Sequence, residues 1–67
     1  MTIKINGTAL EYAGSDALIS LLRLKGIAPE KVLIEINGQL LADVSSVESA
    51  KIKNGDEINI YGLVAGG

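Results

Sequence analysis

The sequence predicts an α+β domain in which one main helix is packed on one face of a mixed β-sheet of four to five strands. Three observations predict it. Two Asn-Gly dipeptides, Asn6-Gly7 and Asn37-Gly38, sit between apolar runs, the signature of two-residue hairpin turns. A leucine-rich stretch between the hairpins has helical spacing. A last alternating run, Glu57 to Tyr61, leads into Leu63-Val64-Ala65-Gly66-Gly67.

Taken in order, Thr2 to Asn6 alternates with Ile3 and Ile5 on one side. With Asn6 and Gly7 as the turn, Ile5 faces Thr8, Ile3 faces Leu10 and Met1 faces Tyr12, so Ile3 and Leu10 share the core side. Ser15 is placed to cap a helix with Asp16 in its first turn, and Ala17, Leu18, Leu21 and Leu22 form its apolar stripe through Lys25. Gly26 ends the helix in a left-handed conformation, which brings Ile27 back against Leu22. Ala28 and Pro29 break the chain, Val32 to Ile36 forms a third strand, and the second hairpin returns through Leu40 and Leu41. From Asp43 to Ile52 the pattern weakens to a tethered loop, in which Ser45 or Ser46 caps a single turn carrying Val47 and Ala50 inward. Lys53-Asn54-Gly55-Asp56 has turn chemistry, and Glu57 to Tyr61 is the fifth strand. The period of two points Val32, Ile34, Ile36, Ile58 and Ile60 at the helix, and Leu33, Tyr61 and Leu63 at the opposite face.

Sixty-seven residues make one domain, 1–67, with residues 63–67 as a flexible tail beyond the last strand. The absence of cysteine and histidine removes disulfides, the usual zinc or copper ligands and the commonest nucleophile and base pairings, so the chain is not expected to be an enzyme in itself. A net charge of −2, six basic residues spread along the chain and only two aromatics, both Tyr, argue against a nucleic-acid partner. No apolar run approaches the roughly 20 residues that span a bilayer and the start has no signal-peptide pattern, so a cytoplasmic protein with no membrane association is expected. The candidate chemistry therefore lies in the main chain. Gly66 and Gly67 carry no Cβ and can thread a slot closed to other residues.

Two hairpins around a helix, a last strand entered through Asn54-Gly55-Asp56-Glu57 and an end at Val64-Ala65-Gly66-Gly67 resemble a β-grasp, ubiquitin-like sulfur carrier. Within that superfamily the chain most resembles the ThiS family of thiamin biosynthesis, through the stretch from Gly26 and Pro29-Glu30-Lys31-Val32 to Asn37-Gly38, and through the Gly55-Asp56 turn. ThiS chains often carry an arginine shortly after the fourth strand, where this chain reads Leu41-Ala42-Asp43-Val44. Carriers of the MoaD family tend to be longer, with prolines before the tail, where this chain reads Tyr61-Gly62-Leu63. The resemblance implies that the first and last strands lie parallel at the sheet centre, with Ile3, Ile5, Ile58 and Ile60 in mid-core.

It also implies a protein co-substrate. A ThiF-like adenylating enzyme, using ATP and Mg, would activate the Gly67 carboxylate. A cysteine desulfurase or other sulfur donor would turn the adenylate into a thiocarboxylate, and a ThiG-like thiazole synthase would take the sulfur. In this reading Gly67 is the adenylation and thiocarboxylate site. Gly66, Ala65 and Val64 thread into partner active sites, Leu63, Tyr61 and Leu33 dock the partners, and the chain itself binds no cofactor or metal. The alternatives are a MoaD-like sulfur carrier for molybdopterin synthesis and a ubiquitin-like modifier joined to lysines through the same carboxylate.

Overall fold

The computed structural model describes residues 1–62; the tail expected at 63–67 lies outside the described residues. Strands β1 (Thr2–Ile5), β2 (Thr8–Glu11), β3 (Val32–Ile36), β4 (Gln39–Leu41) and β5 (Glu57–Gly62) form one sheet in the order β2-β1-β5-β3-β4. Helix α1 (Leu18–Leu24) follows the first hairpin, a 3-10 turn (Pro29–Lys31) enters β3, and helix α2 (Val44–Ser49) lies between β4 and β5. β1 and β5 run parallel, Lys4 opposite Glu57 and Ile5 opposite Ile58, while the remaining pairs are antiparallel. This is a β-grasp arrangement, with the first and last strands side by side.

Both hairpins turn where the Asn-Gly pairs stand. Asn6 and Asn37 have φ of 48° and 52°, and the glycine after each is also at positive φ, as a type I′ turn demands. The first hairpin has the predicted register, Ile5 opposite Thr8 and Ile3 opposite Leu10. Met1 and Tyr12 extend it by exchanging backbone hydrogen bonds of 2.8 Å.

The core sits between the sheet and α1. Ile3, Ile34 and Ile58 from the sheet and Leu18, Leu21 and Leu22 from the helix are buried against one another, joined by Val47 and Ile52. Burying an aliphatic side chain of this size contributes about 1.5–3 kcal/mol, so these residues supply most of the drive to fold. Ile5 and Ile60 are half-buried at the margin of this cluster. Tyr12 is buried as well, and Gly14 makes room for it: a Cβ there would fall 2.5 Å from the Tyr12 hydroxyl.

The C-terminus of α1 follows the sequence expectation. Gly26 N–H donates to Arg23 C=O (3.1 Å) and Ile27 N–H donates to Leu22 C=O (2.9 Å), the paired bonds of a Schellman motif. The start of the helix differs. Ser15 does not cap it; the cap position is Ala17, which makes no side-chain cap bond, and helical structure begins at Leu18. The reason is tertiary. Ala17 bridges to Lys51, Ile52 N–H donates to Asp16 C=O (2.7 Å) and Leu18 N–H donates to Ala50 C=O (3.0 Å), which keeps Ala17 extended and delays the helix to Leu18. Ser15 Oγ instead accepts from Ala17 N–H in a local turn (3.1 Å).

The second correction concerns 43–52, expected as a loop. It contains α2, and its cap is Asp43 rather than Ser45 or Ser46: Asp43 Oδ1 accepts from Ser46 N–H at 2.8 Å and from the Ser45 hydroxyl at 3.0 Å. The Ser46 N–H is the largest cause of an Asp43 carboxyl held below its ordinary range. Val47 is carried into the core, as expected of that turn.

Candidate functional site

β5 is the last described element and stands next in sequence to the residues expected to react. Its start is fixed from the second hairpin. Asn37 N–H donates to Glu57 C=O (2.8 Å), Asn37 Oδ1 accepts from Glu57 N–H (2.9 Å), and Asn37 Nδ2 donates to the Asp56 carboxylate (2.9 Å). Asp56 is the one buried charged side chain among the described residues. Its Oδ2 accepts from Lys53 N–H (2.9 Å), and the exposed Lys53 ammonium lies 3.2 Å from Oδ1, the oxygen that also accepts from Asn37. Burial pushes the Asp56 carboxyl up; the bonds from Asn37 and Lys53, with the Lys53 charge, outweigh this and leave it below the ordinary range. The turn before β5 is tied to β1 by Thr2 N–H to Asn54 Oδ1 and Gly55 N–H to Thr2 C=O, both 2.7 Å.

The far end of β5 is fixed from the first hairpin. The β1–β5 register stops at Ile5 opposite Ile58, four residues short of the end of β5. Asn6 continues the ladder there: its N–H donates to Ile58 C=O (2.9 Å) and its Oδ1 accepts from Ile60 N–H (2.7 Å). On the other side β3 accompanies β5 throughout, Val32 opposite Gly62.

This framework turns one sheet face away from the helix. Leu33 and Tyr61 are directly opposed on β3 and β5, 40% and 48% exposed, so two of the docking residues expected from sequence stand together beside the exit of β5. The third, Leu63, and the threading and reaction residues Val64, Ala65, Gly66 and Gly67 lie outside the described residues. Two further residues share the face. Glu35 lies two positions from Leu33, and Leu40 on β4 stands opposite Glu35 and is 51% exposed. Hairpin register alone would have located both. The Tyr61 hydroxyl donates to Glu35 Oε1 (3.2 Å). Partial desolvation, then the hydrogen bond and charge of Glu35, raise the Tyr61 phenol above its ordinary range. Toward β1 and β2 the face becomes polar, with a Lys4–Glu57 pair at 3.8 Å and a Thr2–Glu11 hydrogen bond.

Among the described residues no group of three or more His, Cys, Asp or Glu side chains could hold a metal ion, and no helix is long and apolar enough to cross a membrane. The face presents an apolar patch with one carboxylate, formed in part by the strand that precedes residues 63–67.

Comparison with known proteins adds to this. A model of the ThiS family matches residues 3–67. A crystal structure of the thiamine biosynthesis protein ThiS from Geobacter metallireducens is similar over 100% of both chains, with a TM-score of 0.81 and 26% identity. A ubiquitin-like protein from the hyperthermophilic archaeon Caldiarchaeum subterraneum is similar over 98% of this chain and 100% of its own, with a TM-score of 0.49 and 23% identity. No curated protein sequence gives a significant match.

Proposed function

The chain belongs to the ThiS family, and from that premise we propose that it is a sulfur carrier for thiamin biosynthesis that works as a protein co-substrate, with its chemistry at the Gly67 carboxylate. The observation that carries this reading is a family match that runs through Gly66 and Gly67, on a fold whose last strand leads toward them.

A carboxylate with a reference pKa of roughly 3.5 is ionised at neutral pH and inert toward a sulfur nucleophile. A ThiF-like adenylating enzyme removes that obstacle. A Gly67 carboxylate oxygen attacks the α-phosphorus of Mg-bound ATP, pyrophosphate leaves, and the acyl-adenylate then carries AMP as a leaving group. Persulfide sulfur from a cysteine desulfurase or related donor displaces AMP. Cleavage of the sulfur–sulfur bond by an external thiol leaves the Gly67 thiocarboxylate, which a ThiG-like thiazole synthase consumes. Gly66, with Ala65 and Val64 before it, suits a segment that must enter more than one active site, since small side chains let it pass through narrow channels. Leu33 and Tyr61, with Leu63, are the docking residues of this reading.

The test is ATP–pyrophosphate exchange with a ThiF-like enzyme from the same genome. The full chain supports exchange, whereas deletion of Gly67 or addition of one alanine after it abolishes exchange and leaves the thermal unfolding curve nearly unchanged. Exchange by the truncated chain would refute the assignment of Gly67.

A further inference from the structure

Glu35 is half-buried on the open face, with Leu33 two positions away on β3, Leu40 opposite it on β4, Asn59 opposite it on β5 and Tyr61 donating to it from β5. It has no cation within 4.0 Å among the described residues, which include all six Lys and Arg; the ion pairs are Lys4–Glu57, Lys51–Asp16 and Lys53–Asp56. The contrast with Asp56 is informative: that carboxylate is covered, and it has a cation and two amide donors. Glu35 is flanked by Leu33, Leu40 and the Tyr61 ring, has Asn59 opposite it on β5, and lacks a charge partner among the described residues.

Any protein surface that seals against Leu33, Leu40 and Tyr61 must also cover Glu35. Covering a carboxylate without a cation is strongly unfavourable, while covering it with a matched cation holds the two surfaces in one register. We propose that Glu35 is the specificity-determining charge of this face, and that the adenylating partner meets it with an arginine set among apolar side chains. This rests on the sulfur-carrier reading. Arginine fits better than lysine for two reasons. A planar guanidinium can bond a carboxylate through two parallel N–H groups, and it can lie over the neighbouring Tyr61 ring. Surfaces that present an acid, or only apolar groups, at this point are rejected, which separates this partner from other proteins able to cover an apolar patch.

The test measures KM for the carrier in ATP–pyrophosphate exchange with the ThiF-like enzyme, comparing the parent chain with Glu35→Gln and Glu35→Arg. Glu35→Gln keeps an oxygen for the Tyr61 hydroxyl to donate to, so the sheet is undisturbed. KM rises about 30-fold or more with kcat unchanged, the dependence of KM on salt becomes shallower, and Glu35→Arg is worse still. Changing the facing arginine of the enzyme to glutamate restores exchange with Glu35→Arg. Parent-like KM and salt dependence for Glu35→Gln would overturn the proposal while leaving the carrier reading standing. No exchange with the parent chain would overturn both.

Discussion

The two hairpins carry the same dipeptide at the same backbone conformation, and both asparagines reach β5, yet they hold it by different means. Asn37 fixes the start of β5 through three bonds, one of which satisfies the buried Asp56 carboxylate. Asn6 fixes the far end through two bonds to exposed or half-buried backbone, with no charge involved. A local signal thus specifies a turn, while its energetic weight depends on what the turn meets in the folded chain. One hairpin satisfies a buried charge, and the other extends the β1 side of the ladder as far as Ile60.

The largest expected effect breaks the Asn37 side of this comparison at its charge. Asp56→Ala leaves the Lys53 N–H and the Asn37 amide without their acceptor and costs about 2–4 kcal/mol, much of the roughly 5 kcal/mol margin of a small domain. Urea denaturation measures it. The pH dependence follows from the direction of the shift. The folded carboxyl lies below the ordinary 3.8, so its stabilisation is complete above that value and is lost as pH falls through the lower, folded value. Asp56→Ala therefore flattens the acid limb of the parent's stability curve; Asp43, shifted in the same direction, keeps part of it.

Asn37→Gly is the intermediate case. Glycine accepts the positive φ of the turn, so the change isolates the carboxamide, whose loss costs about 1–3 kcal/mol because Asp56 also loses a donor. Asn6→Gly is the smallest, about 0.5–1 kcal/mol, since water replaces the acceptor of the Ile60 N–H. For a domain of this size a difference of about 1 kcal/mol separates the melting temperatures by roughly 4–8 °C, which calorimetry resolves. Equal losses for the two glycine variants would show that the Asp56 network carries no special weight.

The same contrast explains what could be read from the sequence. Turns, strand register and the C-terminus of α1 were legible because their causes are local: Asn-Gly conformation, alternation and Gly26. The beginning of α1 was not, because residues 16–18 are held by Ala50–Ile52, more than 30 positions away. α2 was missed although Asp43, the true cap, stands in the sequence; six residues with one buried valine give too little periodicity to register as a helix. At the candidate site, alternation placed Leu33 and Tyr61 on the open face. Glu35 shares that face by the same alternation, and Leu40 joins it through the hairpin register that sets it opposite Glu35.

The central claim is that the reactive group is the backbone carboxylate of Gly67, presented by a strand that the two asparagines hold in place. Intact-mass spectrometry of the full chain purified from its native cell, with fragmentation of the C-terminal peptide, tests it most directly. The account predicts a species in which one oxygen is replaced by sulfur, localised to Gly67. A chain unmodified at Gly67, or one found only as an isopeptide to a lysine of another protein, would contradict it.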